Sequence, residues 1–195
     1  GLALQAKGAP ASEIERALLS AVDFAASVDD LMYIAQYMAR SGLDQRALKL
    51  FQQASRLEPT RSEPFTYGLA LAQRLKDLPG IQWATAGILS QAWPKDQAQI
   101  WPAAYRIAVS TQEDLRKSGR LVEAEAFQAA LDRALIRDCI AVVSWTGEAD
   151  IDLMVEEPSG SICSFREPHT SAGGVMLGDS FAKQNQWVEG GYSEA

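Results

Sequence analysis

Cysteine and histidine are nearly missing from this chain, which holds Cys139, Cys163 and a single histidine, His169, in 195 residues. Two cysteines are too few for a disulfide framework, and with one histidine they are too few for a structural zinc site. They read as buried thiols, with one bridge between them as the alternative. Long apolar runs are missing too: none approaches the roughly 18–20 residues that cross a bilayer, so no membrane span is expected. Gly1–Ala11 has neither the basic nor the apolar region of a signal peptide. The chain lacks an initiator methionine and stops abruptly, which suggests a fragment or a processed chain from which a leader was removed. No Gly-x-Ser-x-Gly elbow and no phosphate-cradling Gly-Lys-Ser/Thr occurs, so neither acyl transfer nor nucleotide chemistry has a sequence warrant.

What is present is the composition of an ordinary globular protein, 47% hydrophobic and 22% charged. The net charge of −7 is unevenly spread: residues 1–137 carry 16 Lys+Arg against 15 Asp+Glu, and residues 138–195 carry 2 against 10. The acidity therefore belongs to the tail. A surface of that sign repels phosphate backbones and anionic lipid heads, so nucleic acid and bare membrane are poor partners for that half. The charge also serves simply to keep a small β-module soluble.

Residues 28–61 form the most regular stretch. Leu31, Ile34, Ala35 and Met38 make the apolar face of one helix, Gly42 makes a turn, and Ala47, Phe51, Ala54 and Pro59 follow on a second. This pattern resembles the tetratricopeptide repeat, with its large, small, turn, aromatic and terminating residues at the family's 34-residue offsets. Ala35 stands where that family prefers glycine. The resemblance implies stacked antiparallel helix pairs that act as a protein-binding scaffold.

Around that repeat, Ser12 and Glu15 have capping-box spacing and open a helix expected over about 12–26. Residues 62–95 read as a degenerate repeat, with Phe65, Leu69 and Ala72 on one helix, a turn at Leu78-Pro79-Gly80, and Ala84, Ile88 and Leu89 on the next. A third pair is expected over 97–117 and 121–136, turning at Ser118-Gly119. Near Asp138 the period changes to that of strands, with candidates at Cys139–Trp145, Ile151–Glu156, Ser161–Arg166 and Gly174–Leu177. The expected organisation is a flexible leading segment over 1–11, a helical repeat domain over 12–137 and an acidic sandwich-like β-module over 138–195. The fold class is α+β as two modules: an antiparallel helix-pair solenoid followed by part of an all-β sandwich-like module.

Trp145, Asp150, Asp152, Leu153, Val155, Pro158, Gly160, Gly173, Gly174, Asp179, Tyr192 and Glu194 carry a second resemblance. Their order and spacing are similar to the uncharacterised YfaP-type β-domain of bacterial proteins, a family often found beside repeat or von Willebrand A segments. Glu148 stands where an aspartate is usual. That family's domain continues past its Gly-Tyr-x-x-Glu segment, so the final strands are expected to be missing here. The resemblance lends no activity, but it implies a bacterial protein, with periplasm or cell surface ahead of cytoplasm.

Three constellations carry candidate chemistry. Glu148, Asp150 and Asp152 alternate into a strand and could offer oxygens to calcium, although such acids are commonly a solvated face. His169 lies among Ser164, Thr170, Ser171 and Asp179, yet it follows Pro168 in a loop and has no elbow serine, so catalysis is not expected. In the helical half, the repeat resemblance places Met32, Gln36 and Arg40 along a concave face, with Thr66, Tyr67, Ala70 and Arg74 one repeat later. Two arginines beside Tyr67 and Gln36 suit an acidic or C-terminal peptide segment. Met32 and Gln36 replace the lysine and asparagine of the carboxylate-clamp subclass, so that subclass's ligand is not carried over. The expected function is a non-catalytic scaffold binding a protein or peptide, which includes its own acidic tail. The alternative is a calcium- or glycan-binding β-module presented by a helical spacer.

Overall fold

Apolar residues at helical spacing fold residues 11–134 into seven described helices: α1 (Ala11–Asp23), α2 (Val28–Arg40), α3 (Asp44–Leu57), α4 (Ser62–Leu75), α5 (Leu78–Leu89), α6 (Ile100–Lys117) and α7 (Leu121–Ala134). Five short strands follow: β1 (Cys139–Trp145), β2 (Val155–Glu156), β3 (Ile162–Cys163), β4 (Val175–Gly178) and β5 (Val188–Glu194). This computed structural model describes residues 4, 7–91, 93, 97, 99–145, 151–170, 173–178 and 188–194. The chain is thus mostly helical with small antiparallel sheets. Its contacts gather into two units, Gly1–Ala84 and Thr85–Ala195, so the change from helix to strand near Asp138 falls inside the second.

In the first unit the helices keep a strict ruler. The interval from Val28 to Ser62, which open α2 and α4, equals that from Asp44 to Leu78, which open α3 and α5. The turns repeat with them. Met38 C=O accepts from Leu43 N–H at 2.9 Å, and Ala72 C=O accepts from Asp77 N–H at 2.9 Å. Each bond closes over one left-handed residue, Gly42 at φ +77° and Lys76 at φ +54°. The turn expected at Leu78-Pro79-Gly80 therefore lies earlier, at Lys76-Asp77, and those three residues open α5 instead. Pro79 is tolerated there because first-turn N–H groups have no intrahelical acceptor to lose. Gly80 marks a close approach: a Cβ on it would sit 2.9 Å from Ala72 Cβ and 3.0 Å from Leu48 Cδ2.

Helix ends also differ from expectation. α1 stops at Asp23, and its cap residue Pro10 makes no side-chain cap bond, so the Ser12–Glu15 box does not form. Glu15 instead accepts from Arg46 of α3 at 3.2 Å. The reciprocal box belongs to α2, where Ser27 Oγ accepts from Asp30 N–H at 3.1 Å and the Asp30 carboxylate accepts from Ser27 N–H at 3.1 Å. The Asp30 carboxylate also accepts from Ala26 N–H at 3.0 Å. α6 starts at Ile100 and α7 ends at Ala134, both shorter than their spacing suggested.

The first core is a stack of small and large residues. α3 packs against both α2 and α4. Ala35, Met38, Ala47, Ala54, Ala72 and Ala84 have no exposed surface, and Phe51 is 2% exposed. Gly68 of α4 faces α5, where a Cβ would meet Trp83 Cζ3 at 2.5 Å while the Trp83 ring lies 5.4 Å from that of Phe65.

In the second unit α6 and α7 pair across Gly119, with Arg120 N–H bonded to Leu115 C=O at 2.9 Å. Ala104, Ala108, Leu115, Ala124, Phe127 and Leu131 fill the contact. Arg137 donates to the C=O groups of Ala134, Ile136 and Leu89, and burial pushes its pKa down. Its charge sits against the carbonyl-rich ends of α5 and α7, where a cation is favoured. The strands form a three-stranded sheet in the order β1-β5-β4 and a two-stranded sheet of β2 and β3, all antiparallel. Cys163 and Met176 are buried together with Ala141, Leu153 and Val155 packed around them. Of the expected strands, Ile151–Glu156 shortens to β2 and Ser161–Arg166 to β3, while β5 was not foreseen. Both cysteines are free, Cys139 exposed and Cys163 buried.

Gly68→Ala gains about 1 kcal/mol of helix propensity but forces a methyl into the Trp83 ring, which costs about 1–3 kcal/mol. A net loss of roughly 1 kcal/mol in urea unfolding is expected, and a stabilised variant would contradict the close approach. Ser27→Ala removes a cap worth about 1 kcal/mol. Because the bonds from Ser27 and Ala26 hold the Asp30 carboxyl below its ordinary value of 3.8, their contribution is present above that value and fades as pH falls through the lowered one. The gap between wild type and Ser27→Ala in acid unfolding should therefore narrow only below about pH 4.

Candidate peptide-binding face

α2 and α4 present the candidate residues because 3.6-residue periodicity brings positions three, four and seven apart onto one side. On α2, Met32 is 3% exposed and belongs to the core, Gln36 is half-buried and Arg40 is exposed. Arg40 Nη2 donates to Gln36 Oε1 at 3.5 Å, a weak bond, and among the described residues Arg40 makes no ion pair. On α4, Tyr67, Ala70 and Arg74 are all exposed. The Tyr67 ring leans on Phe51 of α3, centroids 5.9 Å apart and planes at 33°. Arg74 is engaged: its Nε donates to Asp44 Oδ2 at 3.1 Å and its Nη2 to Asp44 Oδ1 at 2.6 Å. Thr66 uses its hydroxyl on its own helix, donating to Glu63 C=O at 3.2 Å.

The two helices are tied near their starts by Arg61, which precedes α4 and meets Asp29 of α2 at 2.7 Å. Arg61 also faces Glu58 at 3.3 Å and Glu63 at 3.4 Å. The Asp29 bond is the main reason its guanidinium is held more firmly protonated than usual. Further along, Gln36 and Arg40 bond to each other and Arg74 bonds to Asp44, with no ion pair or ring contact among the described residues that joins Gln36 or Arg40 to Tyr67, Ala70 or Arg74.

One residue of this face escaped the motif. Tyr33 is 76% exposed and lies on the same side of α2 as Arg40, two turns earlier. It precedes Tyr67, itself 46% exposed, by the same interval that separates Val28 from Ser62. The pair Tyr33/Arg40 thus recurs as Tyr67/Arg74. The signal was legible in that spacing, but the repeat pattern directs attention to core positions and passes over exposed aromatics.

The other candidates fall in the strand region. Glu148 and Asp150 lie outside the described residues, and Asp152 is exposed. Among the described residues no three His, Cys, Asp or Glu side chains gather to hold a metal ion. His169 is half-buried beside Val175, and burial pushes its pKa down. Ser164 Oγ accepts from Glu167 N–H at 3.3 Å, while Ser171 and Asp179 lie outside the described residues. Thr170 donates its hydroxyl to buried Glu157 and accepts from Gly174 N–H at 2.9 Å. Burial and then Glu157 push the Cys163 thiol up, and Cys163 Sγ contacts Pro168 C=O at 3.5 Å. A raised thiol pKa and full burial are the reverse of what a nucleophile needs. No helix among the described residues is long and apolar enough to cross a membrane.

The Asp44–Arg74 pair is two-pronged, yet Arg74 is more than half exposed, so solvent screening limits its worth. A double-mutant cycle of Asp44→Ala and Arg74→Ala should give a coupling of roughly 0.5–1 kcal/mol that shrinks in 1 M salt. A coupling above about 2 kcal/mol would mean the pair is far less solvated than its exposure implies.

Set against protein-family models, curated proteins and solved structures, the chain matches none.

Proposed function

We propose that the first unit is a non-catalytic scaffold of the tetratricopeptide-like kind, which binds a peptide or protein segment across the exposed side of α2 and α4. One observation carries this reading: an exposed tyrosine and an arginine recur, as Tyr33/Arg40 and Tyr67/Arg74, at the same interval that separates the starts of α2 and α4. Aromatic and arginine side chains are the types that dominate protein recognition, since each combines a large contact area with a directional polar group. Gln36 and Ala70 occupy matching places between tyrosine and arginine. Tyr33 is 76% exposed and Tyr67 46%.

The test is an array of overlapping 15-residue peptides from bacterial proteins, probed with the full chain in chelator and no sugar. Bound peptides whose affinity falls at least about fivefold in Arg40→Ala and in Tyr33→Ala support the reading, a loss typical of an interface residue. An array that stays blank, or binding that needs calcium or a glycan, would move the function to residues 138–195.

A further inference from the structure

The two copies of the tyrosine–arginine pair are in different states. Arg74 has its fork filled by Asp44, an acid in the first turn of α3. One repeat interval before Asp44 stands Pro10, and Glu13, the acid in the first turn of the helix that precedes α2, makes no ion pair with Arg40 among the described residues. Arg40 is exposed, without an ion pair among the described residues, and its hydrogen bond goes to Gln36 of its own helix. Asp44 is therefore a worked example, inside this chain, of the group that fits such an arginine.

From this we infer that the ligand of the α2 face carries a carboxylate for Arg40 and an aromatic or large apolar side chain for Tyr33, three residues apart in a polyproline-II-like segment; the inference rests on the scaffold reading above. The spacing follows from geometry. Tyr33 and Arg40 are two turns apart on one helix, about 10 Å along its axis. A polyproline-II segment advances about 3.1 Å per residue with three residues per turn, so residues three apart share one side and span about 9 Å. The carboxylate gives direction and the ring gives area. Tyr33 at 76% exposure has that area to offer, whereas Tyr67 already rests on Phe51. The chemistry is that of an Asp or Glu side chain, or of a terminal carboxylate at the same offset. Asp44 has the further role of keeping Arg74 out of competition, so one chain takes one peptide.

The probe is an acetylated, amidated ten-residue alanine–serine peptide with Glu and Phe three positions apart, titrated into the full chain by calorimetry beside the peptide array. The expected result is binding at one site that weakens at least about tenfold with Glu→Gln, the loss expected for a charge-assisted hydrogen bond. Moving Phe next to Glu, or changing Arg40→Gln or Tyr33→Ala in the protein, is expected to weaken it as much. If array peptides bind but Glu→Gln and Arg40→Gln change nothing, the carboxylate inference falls while the scaffold stands. If neither probe nor array binds, both fall. Wild-type unfolding curves for Arg40→Gln and Tyr33→Ala are expected, because both side chains are exposed.

Discussion

Close approach of helices through small residues is the constraint on which the first unit depends. Ala35, Ala47, Ala54, Ala72 and Ala84 have no exposed surface, and at Gly68 and Gly80 even a methyl would overlap a neighbour. Short side chains let helix axes come near enough for Met38 and Phe51 to be enclosed, and dense enclosure is where the apolar stabilisation lies. The exposed features are consequences. Tyr67 rests on Phe51, and Arg74 reaches Asp44, because α3 and α4 are held at that separation.

The exposed side of α2 and α4 contributes little to stability, because its ion pair is open to solvent. An exposed ion pair such as Asp44–Arg74 is worth a fraction of what burial of one large apolar side chain supplies. The difference between Arg40 and Arg74 has a similarly local cause. The recurrence keeps both arginines, but only the second is preceded by a helix whose first turn places an acid against it. Two nearly equivalent positions thereby acquire different chemistry from the single residue Asp44.

The strand region of the second unit shows the reverse arrangement, with polar groups turned inward and satisfied. Glu157 is 4% exposed and accepts from Thr170, whose oxygen in turn accepts from Gly174 N–H. One hydroxyl therefore links a buried carboxylate to the turn that leads into β4. Such a network fixes the path of a short chain segment, since a buried carboxylate without partners would be strongly unfavourable. Cys163 and His169 lie in the same neighbourhood of the chain, and burial biases both toward their neutral forms.

Much of the helical layout was legible in the linear pattern, because helices with apolar stripes and glycine turns are local in their causes. The starts of α2 and α3, the turn at Gly42 and the buried row from Leu31 to Ala54 all follow from residues within a few positions of one another. Exposed Tyr33 was equally present in the repeat spacing, but core-directed patterns carry no weight for surface residues. Long-range facts were not legible. Gly80 resembles a turn residue until Leu48 and Ala72 come against it, and Glu15 resembles half of a capping box until Arg46 arrives from α3. β5 is the plainest case: Val188–Glu194 contains two adjacent glycines and little strand preference of its own. It lies in the middle of the sheet because β1 and β4 bond to both of its edges. Helix formation draws its hydrogen bonds from the same segment, whereas a strand's partners are distant in the chain, so pairing is decided by how the whole unit comes together.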